Sequence, residues 1–184
     1  MSENTAVTKK EPGIPQLVII LFAIAAITAL LLGLVNMVTA PVIAENARIK
    51  NEKAMAAVLP ASGYTLVEYT GGDANVLAMY EADGAGYVVQ VECPGSFGGG
   101  LQAMVGVDAT GTVTGVEIVK TAETSGLGAN AGKDAFKGQF AGLSGTISVT
   151  KDGGVIVPIT GATITSRAVC AGVNSAIAAA ASMG

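Results

Sequence analysis

The sequence predicts a membrane-anchored α+β protein, in which one transmembrane helix precedes a twisted, mostly antiparallel sheet with helices packed on it. Three observations carry that reading. Residues 17–35 form a nineteen-residue block broken only by Thr28 and Gly33. From Tyr64 onward the apolar runs shorten to four to eight residues between glycine and Asp/Gly turns. The chain then closes on an Ala-rich stretch whose apolar stripe has helical spacing.

The apolar block is long enough to cross a hydrocarbon core of roughly 30 Å at about 1.5 Å per residue, and no charged residue lies between Glu11 and Glu45. A tail over 1–15, a transmembrane helix over 16–39, a helical stalk over 40–60 and a soluble domain over 61–184 follow. A cleaved signal peptide ending at Val42-Ile43-Ala44 is the competing assignment, but its apolar region would be about 7 to 15 residues, shorter than this block. Lys9 and Lys10 before the helix balance Arg48, Lys50 and Lys53 after it too closely to set an orientation. Pro41 suits a first helical turn, Ile43, Ala47, Lys50 or Asn51, Ala54 and Val58 mark one face, and Pro60 ends the segment.

Strands are expected at 65–69, 76–81, 86–92, 101–107 and 113–121, the last two joined by the Asp108-Ala109-Thr110-Gly111 hairpin. A short helix near 133–140, one or two further strands within 147–157 and the C-terminal helix complete the domain.

Charge and composition exclude much chemistry. From Pro60 onward there are ten acids against five bases, and 60–119 contains no Lys or Arg, so a nucleic-acid partner is excluded for want of a basic stripe. With no histidine, Ser-His-Asp and Cys-His catalysis and the usual zinc sites are absent. Cys93 and Cys170 are too few for a four-ligand metal site; by count they can pair, and Cys170 can equally stay free within the helix. Two glycine-rich loops, Ser96-Phe97-Gly98-Gly99-Gly100 and Glu123-Thr124-Ser125-Gly126-Leu127-Gly128, do not match a dinucleotide fingerprint. Together with Thr160-Gly161-Ala162-Thr163-Ile164-Thr165, which opens the last helix where free N–H groups favour a phosphate, they put three close-approach backbones on one small domain.

The ordered set of Asn36-Met37-Val38-Thr39-Ala40-Pro41 running into Ile43-Ala44-Glu45-Asn46, the Glu123 to Gly128 loop, and Thr160-Gly161-Ala162-Thr163-Ile164-Thr165-Ser166-Arg167-Ala168-Val169 resembles the G subunit of the Rnf electron-transport complex. The C subunit of the sodium-pumping NADH:quinone reductase shares the plan. The resemblance implies an FMN-binding domain whose flavin is joined by a phosphoester to the last threonine of a Ser/Thr-Gly-Ala-Thr motif, here Thr163, by a separate flavin transferase on the extracytoplasmic side. It therefore implies a single-pass subunit anchored in membrane lipid, with its soluble domain outside the cytoplasm. In that setting the subunit relays electrons beside the other membrane and peripheral subunits of an ion-translocating ferredoxin:NAD oxidoreductase, and no residue of this chain acts as acid or base on a substrate.

On the same footing Thr160, Gly161, Ala162, Ile164 and Thr165 surround the phosphate, with Arg167 screening its charge, and the N–H groups of residues 164–166 receive it. Glu123, Thr124, Gly126, Leu127 and Gly128 serve the isoalloxazine or ribityl chain, and Phe97 covers a ring face. The sequence departs from the family pattern at Val157, where an aspartate is usual six residues before the modified threonine, and at Ser125, where proline is usual. From the residues alone, a non-redox binding module with Thr163 as a helix cap remains the alternative. A free-standing flavin reductase is disfavoured by the lack of a recognisable nicotinamide site.

Overall fold

A computed structural model describes residues 13–183; the first twelve residues of the expected tail lie outside the described residues. The chain divides after Ala47 into two units. The first is the exposed, apolar part of α1 (Ile14–Val58), a helix long and apolar enough to cross a membrane. Its two threonines are satisfied locally: Thr28 and Thr39 donate to the carbonyls of Ile24 and Val35, at 2.8 and 2.9 Å.

Pro41 does not sit in a first helical turn, where the sequence suits it, but lies inside α1. A proline deletes one backbone bond, and residues 36–40 contain no glycine or other break that would end the preceding turns. The helix therefore runs through.

The second unit begins at Arg48. Five strands, β1 (Thr65–Val67), β2 (Val76–Ala82), β3 (Gly86–Glu92), β4 (Gln102–Asp108) and β5 (Val113–Lys120), form an antiparallel meander in sequence order. Connections are short because each strand pairs with its successor. At the β4–β5 turn, Asp108 accepts from the Thr110 hydroxyl and from the N–H groups of Thr110 and Thr112, and this hydrogen bonding holds its carboxyl below the usual range.

Both faces of the sheet are covered. On one, Met79, Val89, Val91, Ala103, Val105 and Ile118 meet Val169, Val173 and Ala176 of the C-terminal helix, labelled α3 (Thr163–Ala181). This face also takes Phe136 from α2 (Asp134–Lys137) and Phe140 just after it, whose rings meet edge to face at 5.5 Å. On the other, Val88, Met104 and Val119 meet Ala54, Met55 and Val58 at the end of α1 and Leu59 beyond it. The alternation of Val88 with Val89 and of Met104 with Val105 is the period-two signal of a sheet buried on both sides.

Small residues set the approach of each helix. Gly106 and Gly115 are direct cross-strand partners, and a Cβ on either would meet the backbone of Val58. Gly172 of α3 faces Cys93, where an added methyl would stand 2.9 Å from the sulfur.

The strands expected within 147–157 do not form. Only an isolated bridge joins Val149 to Ile156, around a single 3-10 turn, Thr150–Asp152. Side-chain amides replace the ladder: Asn174 bonds both the N–H and the carbonyl of Ile147, at 2.8 and 2.9 Å, and Gln139 does the same for Val157, at 2.8 and 3.3 Å. Backbone polar groups need partners, not a sheet.

Candidate functional site

The site lies where α3 begins. Gly161 takes a φ of +76°, reversing the chain into Ala162, which occupies the N-cap position with no side-chain cap. Thr163 is thus the first helical residue, and Ala162 holds the cap position. The first N–H of the helix to reach a carbonyl is that of Ser166, on Ala162 at 3.0 Å. The N–H groups of Thr163, Ile164 and Thr165 have no acceptor among the described residues, the arrangement by which a helix start receives an anion. Ser166, expected among those donors, is occupied; its hydroxyl also donates to Ala162 and accepts from the N–H of Ile159.

Glu123 ties three segments together. One carboxylate oxygen accepts the buried Thr165 hydroxyl at 2.7 Å, and the other accepts the Gly98 N–H at 2.9 Å. The carboxylate fills the space beside residue 128, where a Cβ would collide with it and with the Thr165 hydroxyl. Gly128 is glycine for that reason. The loop between them closes on itself, the Asn130 side chain donating to the Gly126 carbonyl at 2.8 Å.

Ten of the twelve residues expected from the sequence line one cleft of about 380 Å³: Phe97, Glu123, Thr124, Leu127, Gly128, Gly161, Ala162, Thr163, Ile164 and Thr165. That volume falls in the range of small-molecule pockets, about 300 to 1,000 Å³. Thr160 and Gly126 do not line it; Thr160 is exposed on a separate groove with Gln139 and Pro158. Phe97, Leu127 and Ile164 remain 72, 44 and 52 % exposed, three apolar side chains at the edge of the cleft. A second cleft, about 420 Å³, lies at the other end of α3 between Tyr87, the Asp108–Gly111 turn and Ala180. Its lining includes no helix N-terminus and no Lys or Arg.

Sequence reasoning missed Lys151. It lines the cleft, and its Nζ donates to the Thr163 hydroxyl at 3.1 Å. Arg167, expected to screen a phosphate, is held instead in a two-pronged pair with Asp152, both contacts at 2.6 Å. That pair keeps the Asp152 carboxyl below its ordinary value and the guanidinium above its own. The signal that separates the two cations is the 3-10 turn, which sends Lys151 and Asp152 to different partners. The sequence does not announce it.

Cys93 and Cys170 are both free and both buried. Burial pushes their thiols up to about 12 and about 11, so neither is a ready nucleophile.

Residues 96–178 match the FMN-binding domain family, and residues 14–58 match the RnfG N-terminal region. An α+β FMN-binding domain behind an apolar N-terminal helix is the class that fold and matches define together. The G subunit of the Na+-translocating ferredoxin:NAD+ oxidoreductase complex of Acetobacterium woodii is 35% identical, the match covering 88% of this chain and 89% of the relative. The G subunit of the proton-translocating ferredoxin:NAD+ oxidoreductase complex of Clostridium ljungdahlii is 36% identical over 82% and 83%, and the G subunit of the ion-translocating oxidoreductase complex of Methanosarcina acetivorans is 31% identical over 96% of each. The chain belongs to the family of G subunits of Rnf-type ion-translocating oxidoreductase complexes.

Proposed function

We propose that this chain is a single-pass, membrane-anchored flavoprotein subunit that relays electrons within an ion-translocating ferredoxin:NAD oxidoreductase complex, with FMN joined to Thr163 through a phosphoester. The observation that carries the proposal is the coincidence, in one cleft, of the Thr163 hydroxyl, the three unpaired N–H groups of the first α3 turn and a cation. A phosphate on that hydroxyl is met by all three. The exposed apolar side chains of Phe97, Leu127 and Ile164 would suit a flavin ring, and Glu123, Thr124 and Gly128 line the same cleft. Bound flavin supplies the electron carriage; the protein supplies position and electrostatic setting.

The domain division follows the same reading: a tail at 1–15, a membrane span at 16–39, a stalk at 40–60 whose last residues pack into the core of the sheet, and an extracytoplasmic FMN-binding domain from 61 onward. A covalent link suits a carrier in a compartment where free FMN is dilute. A flavin transferase on that side forms it, and the remaining membrane and peripheral subunits handle ferredoxin and NAD. Relatives named for sodium and for proton translocation match the chain about equally, which supports placing ion coupling in those subunits.

The full chain co-expressed with a flavin transferase is expected to exceed its sequence mass by FMN less one water. Thr163→Ala removes both that increment and in-gel flavin fluorescence. An unmodified wild-type chain under those conditions defeats the covalent assignment. In sealed vesicles, protease added from the extracytoplasmic face is expected to digest the domain, and digestion from the cytoplasmic face alone reverses the topology.

A further inference from the structure

Two charged side chains line the cleft, Glu123 and Lys151. Glu123 has both oxygens engaged, by Gly98 and Thr165. The hydrogen bond of Lys151 goes to the Thr163 hydroxyl, at 3.1 Å. Asp152, the adjacent residue, spends its hydrogen bonds on Arg167 and meets Lys151 only through charge. Arg167 lies one turn beyond Thr163 on α3, so the ion pair clamps the 3-10 turn against the helix and leaves Lys151 facing the hydroxyl. The turn is further closed by backbone bonds from Thr150 to Ile156, from Asp152 to Val149 and from Gly154 to Val149, at 2.8, 2.9 and 3.0 Å.

Resting on the covalent-flavin reading above, we propose that Lys151 is the phosphate-positioning residue of the attachment site. It orients the Thr163 hydroxyl before attachment and balances the phosphodiester charge afterwards, while Asp152 and Arg167 act only through it. In attachment, a bond forms between Thr163 Oγ1 and phosphorus and the phosphoanhydride bond of a flavin dinucleotide donor breaks. A nucleoside monophosphate departs, and the hydroxyl proton leaves to solvent. Lys151 is neither consumed nor deprotonated; it holds the accepting oxygen in place and faces the charge that remains. Lys151 is the one Lys or Arg among the residues lining the cleft, so it is the side chain there that can face the charge of an added phosphodiester.

The test uses the full chain in detergent with the transferase and its flavin donor, following FMN incorporation by intact mass. Lys151→Met is expected to slow incorporation about tenfold or more, the effect of losing one hydrogen bond to a charged group. Lys151→Arg, which keeps a cation and a donor, is expected to stay within about threefold. A readout without any substitution accompanies it: mapped acetylation of the wild-type lysines is expected to fall several-fold at Lys151 on loading and to stay constant at the exposed Lys120 and Lys133. Incorporation by Lys151→Met within about twofold of wild type overturns the proposal, and so does unchanged Lys151 acetylation after loading. In either case the mass gain of the wild-type chain leaves the covalent-flavin reading intact; a wild-type chain that gains no mass removes that reading itself.

Discussion

Glu123 shows how one side chain organises a site it is not asked to react in. Its two oxygens join the Gly98 loop to the first turn of α3, and replacing it leaves the buried Thr165 hydroxyl without its acceptor. Glu123→Ala is therefore expected to destabilise the domain by about 1 to 3 kcal/mol, read as a lowered melting temperature, and to slow FMN incorporation. Gly128→Ala drives a methyl into the same carboxylate and should act in the same direction by a different route. If Gly128→Ala melts like wild type, the carboxylate is free to move and the staple is not one. The Asp152–Arg167 pair makes a prediction in pH. The native carboxyl titrates below its ordinary 3.8, so the pair's contribution is complete above that value and disappears as pH falls through the lowered one. Wild type and Asp152→Asn should differ in melting temperature at neutral pH, draw together as pH falls below 3.8, and converge once it is under the lowered native value. A difference that persists there assigns the effect to packing, not charge.

At the scale of elements, helix-to-sheet distance is set by absent side chains. Gly172 brings α3 down on Cys93 and Val91, and the overpacking introduced by Gly172→Ala should cost about 1 to 3 kcal/mol. Removing the sulfur as well, in Gly172→Ala with Cys93→Ala, is expected to recover part of that loss, a positive coupling that a double-mutant cycle on thermal or denaturant unfolding measures. Strictly additive effects would mean that the two positions do not press on one another. The sheet was readable beforehand because every strand is a short apolar run bounded by turn residues, and the expected and observed limits differ by at most two residues at each end. Two elements were not. Residues 147–157 carry strand-like Ile147, Val149 and Ile156, but their backbone is satisfied by the amides of Asn174 and Gln139, partners that no local pattern reveals. Pro41 reads as a helix start, yet no residue before it stops the helix already under way. Most of the candidate site was legible, because glycines at close approaches and hydroxyls at a helix start leave marks in sequence. Lys151 was not, since the choice between it and Arg167 depends on which partner captures Asp152.

For the molecule as a whole, the consequential boundary is where the folded domain begins. A break at Pro60 suggests itself in the sequence, but Ala54, Met55, Val58 and Leu59 complete the core on one face of the sheet, against Val88, Met104 and Val119. The Val58 carbonyl accepts the Thr114 hydroxyl, and Lys50 donates to the Val119 carbonyl, so polar contacts fasten the same segment. Burying Met55, Val58 and Leu59 at about 1.5 kcal/mol or more each contributes on the order of 5 kcal/mol. That is the size of the whole net stability of many domains, about 5 to 15 kcal/mol. A chain starting at Arg48 should therefore unfold in one cooperative transition and stay monomeric. One starting at Ala61 exposes a contiguous apolar face and should aggregate, or melt broadly with dye binding at low temperature. Calorimetry and size-exclusion chromatography of the two chains decide it: equal, cooperative melting would mean that the end of α1 lies on the sheet without stabilising it. If the longer chain alone is cooperative, the end of α1 from Ala54 to Val58, with Leu59, belongs to the core of the domain that carries the candidate cleft.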